Sequence, residues 1–175
     1  FERLSKHLGL DQPLYGFNYP GMDGKLEPIY SIPELANTFI NDLQTKQPSG
    51  PYSLCGMCYG GNVAFEMAHQ LTAQGHCVSF LGIIDANFAP KRRRTLRYFL
   101  YKGRMFFVER ILKKETKPGG RVRMNRRWES LWTDPSNRTL LKVFEANIIA
   151  RLEHKITPYP GKIMKFSTNW EVARH

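Results

Sequence analysis

The sequence has no long apolar run and few cysteines. Its apolar stretches fall short of the ~18 residues that a membrane-spanning helix needs, and the first residues lack the basic start and apolar core of a secretory signal. Three cysteines among 175 residues, an odd number, argue against a disulfide framework and favour a reducing compartment. We therefore expect a soluble, cytoplasmic chain without internal repeats. Its hydrophobic content of 42% suits a single globular domain over residues 1–175.

Acidic residues are also scarce, and the imbalance is local. The chain carries 26 Lys and Arg against 15 Asp and Glu, a net charge of +11. Residues 91–127 hold fifteen of the basic residues and two of the acids, so they carry +13 and the remaining residues −2. Such a segment is either a solvated face or a docking surface for an acidic partner. Nucleic-acid binding is disfavoured, because no base-reading motif accompanies the charge.

The most informative stretch is a strand-turn-helix junction around Cys58. A short apolar run of strand type precedes it at residues 51–55, and apolar residues at helical spacing follow it. Gly56 and Gly60 flank the cysteine in the pattern G-x-C-x-G, which is typical of a nucleophile elbow, a turn too tight for side chains at those positions. The turn places the reactive atom at the N-terminus of a helix, where an anion is favoured. It also directs the amide of Tyr59 towards a developing oxyanion.

An isolated G-x-C-x-G more often contains a small, buried, unreactive cysteine. Here a double glycine, an amphipathic helix and an acid after the next strand follow in order, which favours a nucleophile at Cys58. The β-branched and aromatic run over residues 76–84 predicts that strand, and Asp85 stands at its carboxyl end. One helix and one strand separate the two residues, so they should be neighbours at the edge of a parallel sheet. The alternative role of Asp85 is that of a turn or helix cap.

Other segments have clear local patterns. Apolar spacing over residues 1–8 predicts a helix, and residues 12–17 and 162–167 have the pattern of strands. Ser31 and Glu34 form a capping box at the start of a scaffold helix. Asp134 and Pro135 predict the start of a later helix, whose predicted inward residues are Leu141, Phe144, Ile148 and Leu152.

Residues 47–52 (QPSGPY), 60–68 (GGNVAFEMA), 70–75 (QLTAQG) and 82–85 (GIID) together resemble the thioesterase domains that end nonribosomal peptide and polyketide synthases. The family usually has serine where this chain has Cys58. The resemblance implies a partial α/β-hydrolase fold, with a mostly parallel sheet and helices on both of its faces. It also implies a helical lid insertion, at about residues 88–157 of this chain.

The resemblance also implies a function. Members take an acyl or peptidyl chain from the phosphopantetheine thioester of a carrier protein, in cis or in trans, and release it by hydrolysis or cyclisation. Cys58 would be the nucleophile, Asp85 the acid that orients the catalytic histidine, and the Tyr59 amide part of the oxyanion hole. The carrier would dock on the densest basic run, Arg92, Arg93 and Arg94. No metal or cofactor of its own is implied. The alternative is a non-catalytic carrier-protein or anion-binding module with a degenerate site.

The catalytic histidine of this fold follows the acid in chain order. His69 and His76 precede the acid and should be exposed, on the elbow helix and just after it. His154 lies in the return from the lid, and His175 comes too early in the chain. The loop that supplies the second oxyanion amide is not found either. We therefore expect a partial domain that has little activity by itself.

Overall fold

The computed structural model describes residues 2–9, 11–86, 88 and 137–167. In chain order its elements are α1 (Glu2–Leu8), α2 (Ile32–Lys46), β1 (Tyr52–Met57), α3 (Tyr59–Ala73), β2 (Val78–Ile84), α4 (Arg138–Glu153) and β3 (Met164–Phe166). The strands form a parallel sheet in the order β1-β2-β3. The predicted α/β class is confirmed, as are the helix near residues 1–8 and the strand within residues 162–167.

Helix α2 begins where the sequence predicts it. The amide of Glu34 donates a hydrogen bond to Oγ of Ser31 over 3.4 Å, and Ser31 has the extended backbone of an N-cap. Apolar residues recur every three or four positions, which places Ile32, Leu35 and Phe39 on one buried face. Withdrawing each such side chain from water contributes ~1.5–3 kcal/mol. This face therefore holds α2 against α3.

Helix α3 covers one face of the sheet. Side chains of a strand point alternately to its two faces, and in β1 the side chains of Tyr52 and Leu54 are buried while those of Ser53, Cys55 and Met57 are exposed. The buried pair joins Leu81 and Ile83 of β2 beneath α3. Among the described residues, the opposite face stays open, with Met57 52% exposed. The sheet is thus anchored to the helix that follows the predicted elbow.

Residues 12–17, predicted as a strand, form no strand in the structure. Pro13 lacks the N–H group that a β-ladder requires. The segment is attached by its side chains instead: Phe17 stacks on Phe39 of α2 with ring centroids 4.8 Å apart, and Tyr19 meets the same ring edge-on at 5.8 Å. Aromatic packing on a helix, which depends on residues distant in sequence, replaces backbone pairing here.

Helix α4 turns a different face to the core from the one predicted. Its buried residues are Val143, Ala146 and Ala150, whereas Phe144 is 46% exposed. The predicted inward position of Phe144 is therefore wrong, and Leu141, Ile148 and Leu152 are only half-buried. Alanines allow close approach between helices, and α4 packs against α3. The predicted cap residues Asp134 and Pro135 lie outside the described residues.

Candidate active site

Cys58 forms a sharp turn between β1 and α3. Its backbone has φ 51° and ψ −118°, in the positive-φ region that residues with a side chain rarely adopt. Such a conformation costs about 1–3 kcal/mol, so the surrounding structure must hold it in place. The Cys58 residue is exposed and stands at the N-cap of α3. This is the backbone geometry of a nucleophile elbow.

The glycines around Cys58 permit this turn, although not in the way predicted. A Cβ added to Gly56 would collide with the carbonyl group of Gly60, which confirms that residue 56 must be glycine. At Gly60 itself the nearest atom to an added Cβ is the Tyr19 hydroxyl oxygen at 3.6 Å, an ordinary contact. At Gly61 an added Cβ would lie only 2.6 Å from Cβ of Ala86. The second tight position is therefore Gly61, because α3 crosses the end of β2 there.

Asp85 lies beside this turn at the same edge of the sheet. The last residues of the two strands, Met57 and Ile84, are paired, and the Cys58 amide donates to the Ile84 carbonyl oxygen over 2.8 Å. Asp85 also has a positive φ, 48°, which aspartate tolerates better than most residues. Its amide donates to the carbonyl of Phe166 at 2.9 Å. The structure thus brings the two predicted site residues to neighbouring backbone positions.

The side chains of Tyr19 and Tyr59, to which the sequence analysis assigns no role, lie beside the elbow. The rings of Tyr19 and Tyr59 have centroids 5.8 Å apart. Burial raises the pKa of the Tyr19 hydroxyl to about 12. Burial also raises the pKa of the Tyr59 hydroxyl; the neighbouring Tyr19 adds to the rise and Arg151 opposes it. Both hydroxyls are therefore neutral at physiological pH. No local pattern marks Tyr19, because its contacts with the elbow arise only from folding.

The three cysteines differ in position, and all are free thiols. Cys55 lies within β1, where partial burial raises the pKa of its thiol and a backbone hydrogen bond at Gly56 offsets part of the rise. A higher pKa leaves less of the reactive thiolate at neutral pH. Cys77 immediately precedes β2, at the opposite edge of the sheet from the elbow. Cys58 is thus the cysteine whose position suits nucleophilic attack.

His69 and His76 make their contacts away from Cys58. His69 is half-buried, with Nε2 lying 3.0 Å both from the carbonyl oxygen of Pro158 and from Oγ1 of Thr157. His76 is also half-buried and contacts Gln44 through its ring nitrogen at 3.1 Å. The prediction that these two are exposed is therefore wrong, because segments distant in sequence pack over them.

His154 contributes to a cleft that does not include the candidate nucleophile. It is 7% exposed, and its Nε2 lies 3.5 Å from Oε2 of Glu66 on α3. The cleft has a volume of about 480 Å³ and runs between the start of α2, the middle of α3 and the end of α4. Its lining residues are Tyr30, Ser31, Ile32, Pro33, Glu66, His69, Ala150, Glu153, His154, Lys155 and Thr157. Neither Cys58 nor Asp85 is among them, so we do not assign the chemistry to this cleft.

Several predicted features lie in segments that the structure does not describe. Arg92, Arg93, Arg94 and His175 lie outside the described residues, as does most of the predicted lid insertion.

Over the described ranges, no helix combines the length and apolar character needed to cross a bilayer. In the same ranges, no three His, Cys, Asp or Glu side chains are grouped so that they could hold a metal ion.

A strained residue between a parallel strand and a helix, with an acid directly after the neighbouring strand, is the arrangement expected at the nucleophile elbow of an α/β hydrolase. Comparison with known proteins agrees. The family model for the thioesterase domain matches residues 1–98, more than half of the chain. The chain therefore belongs to the thioesterase domain family.

Curated relatives are large synthetases. The chain is 38% identical over 85 residues to the nonribosomal peptide synthetase pngA of Aspergillus terreus, covering 49% of this chain and 9% of that protein. It is 32% identical over 121 residues to aspulvinone E synthetase melA of Aspergillus terreus, covering 67% and 13%. With a dimodular nonribosomal peptide synthase of Bacillus subtilis (strain 168) it shares 40% identity over 83 residues, covering 47% and 4%. The chain thus spans a small part of each relative.

Solved structures with a similar fold come from a synthetase and from thioesterases. A four-domain nonribosomal peptide synthetase bound to AMP and glycine aligns with a TM-score of 0.64 and 25% identity, over 93% of this chain and 14% of that one. The RedJ thioesterase of the prodiginine pathway in Streptomyces coelicolor aligns at 0.58 with 15% identity, over 93% and 60%. The NocB thioesterase domain aligns at 0.58 with 22% identity, over 89% and 59%. At these lower identities the last two show the fold alone, and they agree with the predicted α/β-hydrolase class.

Proposed function

We propose that this chain carries the nucleophile of a thioesterase that releases an acyl or peptidyl chain from a phosphopantetheinyl carrier protein. Release is by hydrolysis or cyclisation, during nonribosomal peptide or polyketide biosynthesis. The observation that supports the proposal best is the elbow: Cys58 has the strained backbone of a nucleophile, φ 51°, in a chain of the thioesterase family. The synthetase relatives support a carrier protein as the partner.

In the first half of the reaction, Cys58 passes its thiol proton to a histidine imidazole, and the resulting thiolate attacks the carbonyl carbon of the pantetheine thioester. A tetrahedral intermediate forms, and its oxyanion accepts a hydrogen bond from the Tyr59 amide at the N-terminus of α3. The intermediate collapses as the bond to the pantetheine sulfur breaks, and the departing thiolate takes a proton from an imidazolium. The acyl chain is then attached to Cys58, and the carrier leaves with a free thiol.

In the second half, water or a nucleophile within the acyl chain attacks the Cys58 thioester and releases the product. Asp85 orients the imidazole and stabilises it when protonated. The catalytic histidine of this fold follows the acid in chain order, and His154, the described histidine after Asp85, contacts Glu66 instead. We therefore propose that a histidine outside the described residues, in the intact protein, is the base. A cysteine thioester is nearly isoenergetic with the substrate and reacts readily with amines. We propose that it favours transfer or cyclisation over slow hydrolysis.

The test is capture of the acyl-enzyme. In the intact protein containing this chain, an acyl-pantetheine thioester should add one acyl group to the peptide that contains Cys58, measured by mass spectrometry after proteolysis. Cys58→Ala should abolish the adduct and leave the fold intact, because the Cys58 side chain is exposed and its truncation leaves no buried cavity. Cys77→Ala is the matched control and should acylate normally. Binding of a loaded carrier protein without acylation of Cys58 would instead favour a non-catalytic module.

A further inference from the structure

Asn62 is a buried polar residue directly beneath the elbow. It lies in the first turn of α3, is 1% exposed, and its Nδ2 donates to the carbonyl oxygen of Cys58 over 3.2 Å. The amide of Gly61 donates to the same oxygen at 3.2 Å. A carbonyl oxygen only accepts, so this contact fixes which end of the Asn62 carboxamide faces Cys58.

Packing does not explain why this position is asparagine. Among the described residues, Oδ1 of Asn62 is buried without a hydrogen-bond partner. A buried acceptor without a partner weakens a fold relative to an apolar side chain of the same size. The neighbours of Asn62 on α3 are apolar and buried: Val63, Ala64 and Phe65. An apolar residue would therefore suit the core better, and the carboxamide needs another reason.

The hydrogen bond to Cys58 supplies that reason, because it orients the peptide group between Cys58 and Tyr59. The carbonyl of Cys58 and the amide of Tyr59 belong to one planar peptide group, and this group is trans, so its C=O and N–H point in opposite directions. A donor on α3 that holds the carbonyl towards the helix therefore directs the Tyr59 N–H away from the helix. Hydrogen bonds through a peptide also polarise one another, which strengthens the N–H as a donor.

We infer that Asn62 is a positioning residue for the oxyanion hole: its carboxamide holds the Cys58–Tyr59 peptide plane so that the Tyr59 amide faces the developing oxyanion. The inference rests on the proposed thioesterase function, and Asn62 acts in it only through the Tyr59 amide. Asn62 touches neither substrate nor nucleophile sulfur in this role. It should therefore affect steps that form an oxyanion and spare reactions of the same thiol that form none.

The chain offers an isosteric pair of variants. A threonine within a helix can donate from its hydroxyl to the carbonyl four residues earlier, as Thr38 does to Glu34 in α2 at 3.0 Å. Asn62→Thr therefore retains a donor for Cys58, four residues before position 62. Asn62→Val has nearly the same shape without the hydroxyl. Both are β-branched, so they disturb the helix to a similar degree.

Two rates are measured for each variant in the intact protein. One is acylation of Cys58 by an acyl-pantetheine thioester, which forms an oxyanion. The other is alkylation of Cys58 by iodoacetamide, which does not. Loss of a whole oxyanion donor lowers kcat roughly 100- to 1000-fold, so we expect Asn62→Val, which misaligns one, to slow acylation about 10-fold or more. KM and alkylation should stay within about twofold of the parent, and Asn62→Thr should recover most of the acylation rate.

A control substitution on α3 distinguishes this positioning role from a general loss of stability. Gln70 donates to the carbonyl of Pro33 at 3.0 Å and to Oε1 of Glu66 at 2.9 Å. Gln70→Leu should lower the thermal midpoint without changing the ratio of acylation to alkylation. Equal acylation by the Thr and Val variants, or a parallel fall in both rates for Asn62→Val, would overturn the inference. If the parent itself is not acylated on Cys58, the proposed function fails first, and the inference with it.

Discussion

The amide nitrogen of Cys58 donates a hydrogen bond to the carbonyl oxygen of Ile84 over 2.8 Å. This bond extends the pairing of β1 and β2 by one residue beyond Met57. Because Asp85 directly follows Ile84, the bond joins the backbone of the candidate nucleophile to the strand end that carries the candidate acid. Sites built on rigid elements keep their geometry better than sites on loops. The relative position of Cys58 and Asp85 is therefore set by the sheet.

The first prediction concerns Asp85. Asparagine tolerates the positive φ of 48° as well as aspartate does, and the backbone bond to Phe166 is unaffected. We expect Asp85→Asn to keep the thermal midpoint but to lower kcat for a pantetheine thioester by roughly 10²- to 10⁴-fold in the intact protein, because the imidazolium loses its counter-charge.

The matched control for Asp85→Asn is Asp23→Asn. Asp23 is an exposed turn residue whose Oδ1 accepts a hydrogen bond from the Lys25 amide at 3.1 Å, and its substitution should leave kcat unchanged. If Asp85→Asn also had normal kcat, Asp85 would be only a structural residue at the end of β2.

The second prediction concerns the glycines of the elbow. Gly56→Ala forces a Cβ onto the Gly60 carbonyl, a backbone group that cannot move without opening the turn. We expect a loss of about 3 kcal/mol in the free energy of unfolding, measured with urea, at the upper end of the usual overpacking range. Gly60→Ala, in the same motif, meets nothing closer than 3.6 Å. It should be neutral, or more stable by up to about 1 kcal/mol, because alanine favours a helix. Equal losses for the two variants would contradict this account of the turn.

The third prediction follows from the buried Tyr19 hydroxyl. Its pKa is raised from the usual 10.0 to about 12, so above pH 10 the unfolded chain loses this proton before the folded protein does. The stability that Tyr19 contributes is complete below pH 10 and is lost as the pH rises to about 12. Tyr19→Phe removes this dependence. The decline in unfolding free energy should be smaller in the variant by at most about 2 kcal/mol, since the ring is partly exposed and screened.

Tyr15→Phe is the control for Tyr19→Phe, because Tyr15 is 63% exposed. Urea unfolding of the parent and both variants should give parallel curves for the parent and Tyr15→Phe between pH 9 and 12, and a shallower one for Tyr19→Phe. A Tyr19→Phe curve parallel to that of the parent would show that the hydroxyl is not desolvated.

The fourth prediction concerns the basic segment at residues 91–127, which lies outside the described residues. We propose that Arg92, Arg93 and Arg94 attract an acidic carrier protein, since this segment carries +13 and the remaining residues −2. Reversing all three to glutamate should slow association with the carrier about 10-fold at low salt and reduce its salt dependence. Hydrolysis of a small uncharged thioester should not change.

A matched charge reversal separates local docking from net charge. Lys25, Lys46 and Lys162 are exposed, and reversing them to glutamate changes the net charge by the same amount elsewhere. Screening acts over ~8 Å at physiological salt, so distant charges should affect association much less. Equal slowing by both triple variants, or by neither, would mean that the arginines form only a solvated face.

Much of the fold was predictable, because the patterns involved are short. The capping hydroxyl of Ser31, the strand-turn-helix around Cys58 and the strand ending before Asp85 each depend on residues within one or two turns of chain. Their hydrogen bonds and backbone angles are decided locally. Local patterns fail at residues 12–17, where a strand-like segment pairs with no strand in the described part of the chain. Phe17 of this segment instead stacks on Phe39.

By itself the sequence determined the parallel α/β architecture, the elbow with its obligatory Gly56, and the order of the candidate nucleophile and the candidate acid along the chain. Only the tertiary structure decided that Gly61 rather than Gly60 is the second tight position and that Val143 rather than Phe144 faces the core. It also decided that Tyr19 lies beside the elbow. Periodicity and glycine spacing report the preferences of neighbouring residues, whereas these contacts depend on how closely α3 approaches β2, α4 and the segment before α2. That approach is a property of packing between residues distant in sequence.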